Sequence, residues 1–188
     1  MVANICIVRA RTGRRPRQRQ VFQMDKIPDG TTRTEVTEEM PQGMERRLVL
    51  RLLSHWRMLC DDRDYPSFFD LDPSAIPAMW KDCFVLEIFA DGSEPRFRAM
   101  GDALAADVDF SLIDRPISMA PEKSLPGVAI SFLEEVLRKG VPISRGDEFY
   151  KDHGTKVLYR SILLPMSDDG DTVTGILGAV NCREVIDG

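Results

Sequence analysis

The stretch KVLYRSILLPMSDDGDTVTGILGAVNC, Lys156 to Cys182, decides the fold. Two apolar runs flank the polar cluster Ser167-Asp168-Asp169-Gly170-Asp171, and the second run is rich in β-branched residues. An Asp/Gly loop between two such runs predicts a hairpin of two long strands. Strands that arrive this late in the chain imply a sheet that closes on itself at the end. The stretch carries no nucleophile beside a base, no phosphate-binding loop and no metal-ligand spacing. It reads as the wall of a small domain that senses or docks, not as a reaction centre.

Upstream of it, Gly43 to Cys60 predicts an amphipathic helix. Leu48, Val49, Leu52, Leu53, Trp56 and Leu59 recur at helical spacing, and Arg46, Arg47, Arg51 and Arg57 fill other faces. So wide a stripe must pack on its own domain or on the same helix of a second chain. Asp72-Pro73 opens a short helix, which Pro77 cuts off. CFVLEIF, Cys83 to Phe89, reads as a strand buried on much of both faces. Asp91-Gly92 turns into a second strand, Pro95 to Met100. Residues 101–113 read as helical, and a firmer helix is expected from Gly127 to Lys139, stopped by Gly140. A strand over 142–151 precedes the hairpin. The order helix, two strands, helices, three strands predicts an α+β domain: a five-stranded antiparallel sheet with helices on one face, preceded by the N-terminal helix.

The 188 residues suit one domain plus an extension, divided here into an arm (1–42), a helix (43–65) and a domain (66–188). The formal net charge is −5, unevenly spread. Residues 1–33 hold eight Lys/Arg, six of them in Arg9–Arg19, against Asp25 and Asp29, so the remainder is strongly acidic. An acidic body argues against nucleic-acid binding by the domain itself. The arm reads as a solvated, disordered tail or as sequence upstream of the true start, with contact to nucleic acid or anionic lipid as the sharper alternative. Four scattered cysteines (Cys6, Cys60, Cys83, Cys182) make no paired motif and are expected to be reduced, with Cys83 and Cys182 in apolar runs that favour burial. No run is long enough for a membrane span, and the N-terminal apolar patch precedes its arginines, the wrong order for a secretory signal. A cytoplasmic protein is expected.

Five strings carry a family resemblance: Leu53-Ser54-His55-Trp56; Asp70-Leu71-Asp72-Pro73 with Ile76-Pro77; Phe97-Arg98-Ala99-Met100-Gly101; Arg160 to Ser167; and Asp169-Gly170 with Ile176-Leu177-Gly178. Their order and spacing over residues 44–183 resemble a bacterial family of single-domain PAS-like proteins, common in alphaproteobacteria and long described only as a domain of unknown function. The resemblance implies a PAS-type sheet and a role in sensing or in docking signalling partners. The stretch Asp107 to Pro116 departs from the family in lacking glycines before the long helix. The resemblance also bears on cofactors. Haem-binding PAS domains usually take their ligand from the long helix, which has no histidine here. A flavin photosensor would need a cysteine in the loop before it, and none lies between Cys83 and Cys182. No cofactor is therefore expected, with haem and flavin unlikely and an unidentified small ligand open.

Catalysis finds little support. Glu134-Glu135 and Asp168-Asp169 are adjacent acids that point different ways, and neither histidine lies in a nucleophile motif. Asp168 to Asp171 hints at a calcium loop without its terminal glutamate, so a hairpin turn is the better account. The expected function is a non-catalytic PAS-type sensory or regulatory module, with no metal site. Its pocket candidates are Phe84, Leu86, Phe97, Leu104, Phe132, Leu158, Arg160 and Ile162. Its homodimer or docking candidates are Leu48, Leu52, Trp56 and Leu59. Arg160 attracts notice because strand alternation places it with Lys156, Leu158, Ile162 and Leu164 on one largely apolar face. There it would meet an anionic ligand or pair with Glu87 or Glu148. The alternatives are a small α+β enzyme using His55 or His153 with a carboxylate, and a nucleic-acid-associated regulator using the Arg9–Arg19 arm.

Overall fold

The C-terminal hairpin lies inside the sheet. The computed structural model describes residues 44–185, with side chains from Arg47 onward. The strands are β1 (Cys83–Glu87), β2 (Arg96–Met100), β3 (Ile143–Tyr150), β4 (Lys156–Met166) and β5 (Gly175–Val185). They form one antiparallel sheet in the order β2-β1-β5-β4-β3. The helices are α1 (Met44–Cys60), α2 (Pro77–Trp80), α3 (Asp102–Ala105), α4 (Leu125–Ala129) and α5 (Leu133–Lys139). This is the expected α+β class. β5, the last strand, is central: it pairs with β4 along its whole length and with β1 on its other side. The basic arm expected over residues 1–42, Arg9–Arg19 included, lies outside the described residues.

Strand alternation divides the core in two. Cys83, Val85, Ile162, Leu164, Leu177 and Ala179 point to one face, where α1 covers them with Leu48, Val49, Leu52, Trp56 and Cys60. Phe84, Leu86, Leu163, Ile176 and Val180 point to the other, covered by α3, α4, α5 and their linkers. At Gly178 a Cβ would fall inside the Phe84 ring, its cross-strand neighbour, so only glycine leaves the ring room to meet Phe97 edge-on at 5.9 Å.

One hydrogen bond fastens α1 to the sheet. Trp56 Nε1 donates to the Pro165 carbonyl at 2.8 Å. In an antiparallel strand a residue's N–H and C=O point the same way. Met166 turns toward β5, since its carbonyl accepts from Thr174 N, so Pro165 turns away from β5. On that side β3 has already ended, at Ile143 opposite Leu163. The missing proline donor therefore costs no ladder bond, and the carbonyl that would be orphaned is taken by the indole. Ser167 N, facing the same way, donates to the Pro66 carbonyl at 2.9 Å.

The hairpin loop is organised by Asp169. Its carboxylate accepts from the backbone N–H groups of Asp171 and Thr172 and from the hydroxyls of Ser167 and Thr172. Those bonds, the Thr172 hydroxyl first, hold the carboxyl well below the usual carboxylate range.

Two helical expectations change. The stretch over 101–113 is helical only at α3. Beyond it Asp114 takes a left-handed conformation (φ 60°) and donates its N–H to the Phe97 carbonyl at 2.7 Å, so residues 113–116 run along β2. The helix expected from Gly127 to Lys139 starts earlier and breaks at Ile130–Phe132. Ser124 caps α4 through Gly127 N, and the break lets Phe132, Leu133 and Val136 all reach the core.

Replacing Trp56 with alanine should cost about 3–5 kcal/mol in urea unfolding, a buried aromatic truncation plus an orphaned carbonyl. Trp56→Phe should lose less, about 1–2 kcal/mol, because the hydrogen bond goes but most of the ring packing stays. Equal losses would show that the hydrogen bond, and not the packing of the ring, holds the helix. Because the folded-state pKa of Asp169 is lowered, its stabilisation is complete above about pH 4, the usual carboxylate value, and drains as pH falls below it. The gap in thermal midpoint between the protein and Asp169→Asn should therefore be constant at neutral pH and narrow in acid.

Candidate functional site

On the α1 side, next to β1 and β2, the surface folds into a cleft of ≈ 420 Å³ lined by Phe68, Phe69, Leu71, Pro73, Trp80, Val85, Arg98, Ala99 and Asp168. Its most exposed wall is Phe69, 93% accessible on a single 3₁₀ turn, Phe68–Asp70. That turn is rigidly built. The Asp70 carboxylate accepts from Ser67 N and from Arg63, both at 2.7 Å. Asp168, reaching over from the hairpin, accepts from Ser67 Oγ at 2.5 Å and Phe68 N at 3.1 Å. The Ser67 N–H lowers the Asp70 pKa most, with Arg63 adding to it. Gly175 supplies the seat: a Cβ there would sit inside the Phe68 ring, so the bare backbone lets that ring lie against β5. Arg98 stacks over the Phe68 ring, 5.1 Å from its centroid, and meets Glu87 at 3.4 Å. With Phe68 anchored and the turn fixed at both ends, Phe69 is left pointing into solvent.

The pocket candidates divide between the two faces. Phe84, Leu86, Phe97, Leu104 and Phe132 do come together, but as close-packed core on the α3–α5 side. Ile162 belongs to the opposite core, and Leu158 and Arg160 share its face by alternation. The eight residues therefore cannot line one cavity, because the sheet separates them. Arg160 is half-buried and engaged; of the acids considered for it, Glu87 pairs with Arg98 and Glu148 with Lys156. The stripe expected to dimerise or dock is also corrected: Leu48, Leu52 and Trp56 are buried against the chain's own sheet, and Leu59 is half-buried. The outward face of α1 carries Leu50 and Met58 instead.

The histidine–carboxylate pair that the enzyme alternative requires is not formed among the described residues. His55 Nε2 is buried without a partner, and His153 is exposed. Burial lowers the His55 pKa. Among the described residues no His/Cys/Asp/Glu group could hold a metal ion, and no helix is long and apolar enough to cross a membrane. Cys60, Cys83 and Cys182 are free thiols. Burial pushes Cys83 up to about 12 and Cys60 up to about 11. Cys182, expected inside, is exposed, because β5 runs past the helices that cover its first half.

The Phe69 cleft went unread in the sequence. Its signals were the Ser67/Asp70 capping pair around Phe68-Phe69 and a glycine opening β5, neither of which names the aromatic that stays outside.

A family model described as a PAS domain matches residues 44–181. No curated protein matches the chain. Similar solved structures include a light-oxygen-voltage domain described with a flavin analogue (12% identity, 61% of this chain and 84% of that one, TM-score 0.41). They also include the LOV domain of the blue-light activated histidine kinase of Erythrobacter litoralis EL346 (11%, 55% and 95%, TM-score 0.40). A third is the dark structure of the blue-light photoreceptor Aureochrome1 LOV (14%, 62% and 85%, TM-score 0.41). The expectation that a flavin is unlikely is withdrawn, since one of these similar structures is described with a flavin analogue.

In a Cys6→Ser background, an aromatic disulfide reagent at neutral pH should label Cys182 in the folded protein and reach Cys60 and Cys83 only on unfolding. Simultaneous labelling of all three would contradict the packing of α1 on the sheet.

Proposed function

The chain belongs to the PAS domain family, and on that premise we propose that it is a cytoplasmic sensory or regulatory module that signals by docking a partner protein, without catalysis of its own. The observation that supports this reading is Phe69: a large apolar ring, almost fully exposed, on a turn held by two carboxylates beside an aromatic cleft. Leaving such a ring in water forfeits about 2 kcal/mol of burial that a partner can recover. A rigid turn also spares the complex the entropy of ordering it. The fitting partner offers a short apolar segment to fill the cleft, with a carboxylate to meet Arg98.

A small ligand is the second reading, supported by the family membership itself. On the α3–α5 side Phe84, Phe97 and Phe132 fill the space between sheet and helices, so a flavin or another planar ligand would enter by displacing them. A homodimer, with α1 turned inward, would form through other surfaces, such as the outward face of α1 or the β3 edge.

A photo-crosslinking phenylalanine placed at position 69 should capture a partner in the native host, while the same group at the equally exposed Met58 should not. Capture should also be lost in Asp70→Ala, which releases the turn. Equal yields at both positions, or none, would remove the docking reading. Native mass spectrometry of the protein from its host gives the alternative directly: a retained small mass would mark a ligand sensor, and flavin absorbance would identify that class.

A further inference from the structure

At the opposite end of the sheet from the Phe69 turn, the two cores come to the surface around β5. The gap there is a cleft of ≈ 770 Å³ between the start of α1, the α2–β1 junction, α3 and the far half of β5. Its floor is apolar. Leu48 and Met79 come from the α1-side core, and Leu125 and Val180 from the other. Its walls carry Arg47 and Arg51 one helical turn apart on α1, Lys81 just before β1, and Arg183 on β5. All four are exposed.

Two features set these cations apart. The chain as a whole is acidic, with a formal net charge of −5, yet four positive charges meet here against a single lining carboxylate, Asp82. Several cations elsewhere on the domain sit opposite acids, as in Arg63–Asp70, Arg98–Glu87 and Lys156–Glu148. Among the described residues none of the cleft's four makes such a pair. Unpaired like charges held in one concavity repel each other, and a cleft with apolar walls focuses their field. The wall also includes Asn181, whose Oδ1 is buried with no partner among the described residues. A side-chain amide can be turned so that its NH₂ faces the cleft, offering a neutral donor beside the guanidinium groups.

We infer that this cleft binds a small amphiphilic anion, a phosphate- or carboxylate-bearing molecule with an apolar or aromatic body. The head would meet Arg47, Arg51, Lys81 and Arg183, and the body would lie on Leu48, Met79 and Leu125. The volume falls within the range of about 300–1,000 Å³ usual for small-molecule sites. Such a ligand would bridge α1 to the end of β5, two elements otherwise joined through the core. Binding would therefore bias how firmly α1 is held, a property any partner of the domain would feel. The site is distinct from the Phe69 cleft and stands independently of it.

The test uses the full chain and two fluorescent probes of like shape, anionic 8-anilinonaphthalene-1-sulfonate and neutral N-phenyl-1-naphthylamine. The anion should bind saturably at one site, more tightly than the neutral probe, and more weakly as salt is raised. Arg51→Gln combined with Arg183→Gln should weaken it about tenfold, the sum of two screened charge contacts, and leave the neutral probe unmoved. Arg57→Gln, on α1 but outside the cleft, should change nothing. Bound anion should also slow labelling of Cys182, which lines the same cleft. Because the substituted side chains are exposed, thermal midpoints should match the parent; if they do not, Lys81→Gln alone gives the same comparison. Equal binding of the two probes, insensitivity of the anion to the double substitution, or no protection of Cys182 would overturn the assignment.

Discussion

The architecture depends on how a proline in β4 is made tolerable. Pro165 lies where β4 has lost its neighbour β3, so its missing N–H is no loss, but its carbonyl would face the interior unpaired. The Trp56 indole takes that carbonyl at 2.8 Å. A buried carbonyl without a partner is costly, and an indole N–H is equally costly to bury alone. Each satisfies the other, across 109 residues of chain. The pairing sets α1 on the sheet and settles what the amphipathic stripe of α1 is for.

Once α1 is an intramolecular lid, both faces of the sheet are covered at its centre and the open clefts lie at the margins. The β1–β2 margin carries the Phe68–Asp70 turn, whose rigidity comes from Asp70 and from Asp168 on the hairpin. The far end of β5 carries the cationic cleft. Both places are where an element outruns the layer that covers it, which is where a close-packed domain exposes apolar surface. The exposure of Cys182 has the same origin. The interior on the α3–α5 side is built differently, as interlocking aromatic rings, with glycine at 178 opening room for Phe84.

The strands, the hairpin and α1 were legible in the sequence because each rests on a local pattern: alternation, an Asp/Gly turn, a helical stripe. So was the face shared by Leu158, Arg160, Ile162 and Leu164, since period-two alternation needs no tertiary knowledge. The limits of α3 and of the α4–α5 break were not legible. There the chain gives up helical bonds so that Phe132 can enter the core and residues 113–116 can lie along β2.

The sequence by itself determined which residues alternate, where the chain turns and the α+β order of its elements, because those features depend on neighbours a few positions apart. Only the tertiary structure decided that Phe84 and Arg160 stand on opposite sides of the sheet, that α1 closes on its own chain, and that Arg47, Lys81 and Arg183 share one cleft. Strand order, register and the placing of α1 bring together residues more than a hundred positions apart. That choice is made by packing two faces at once, and no local pattern carries it.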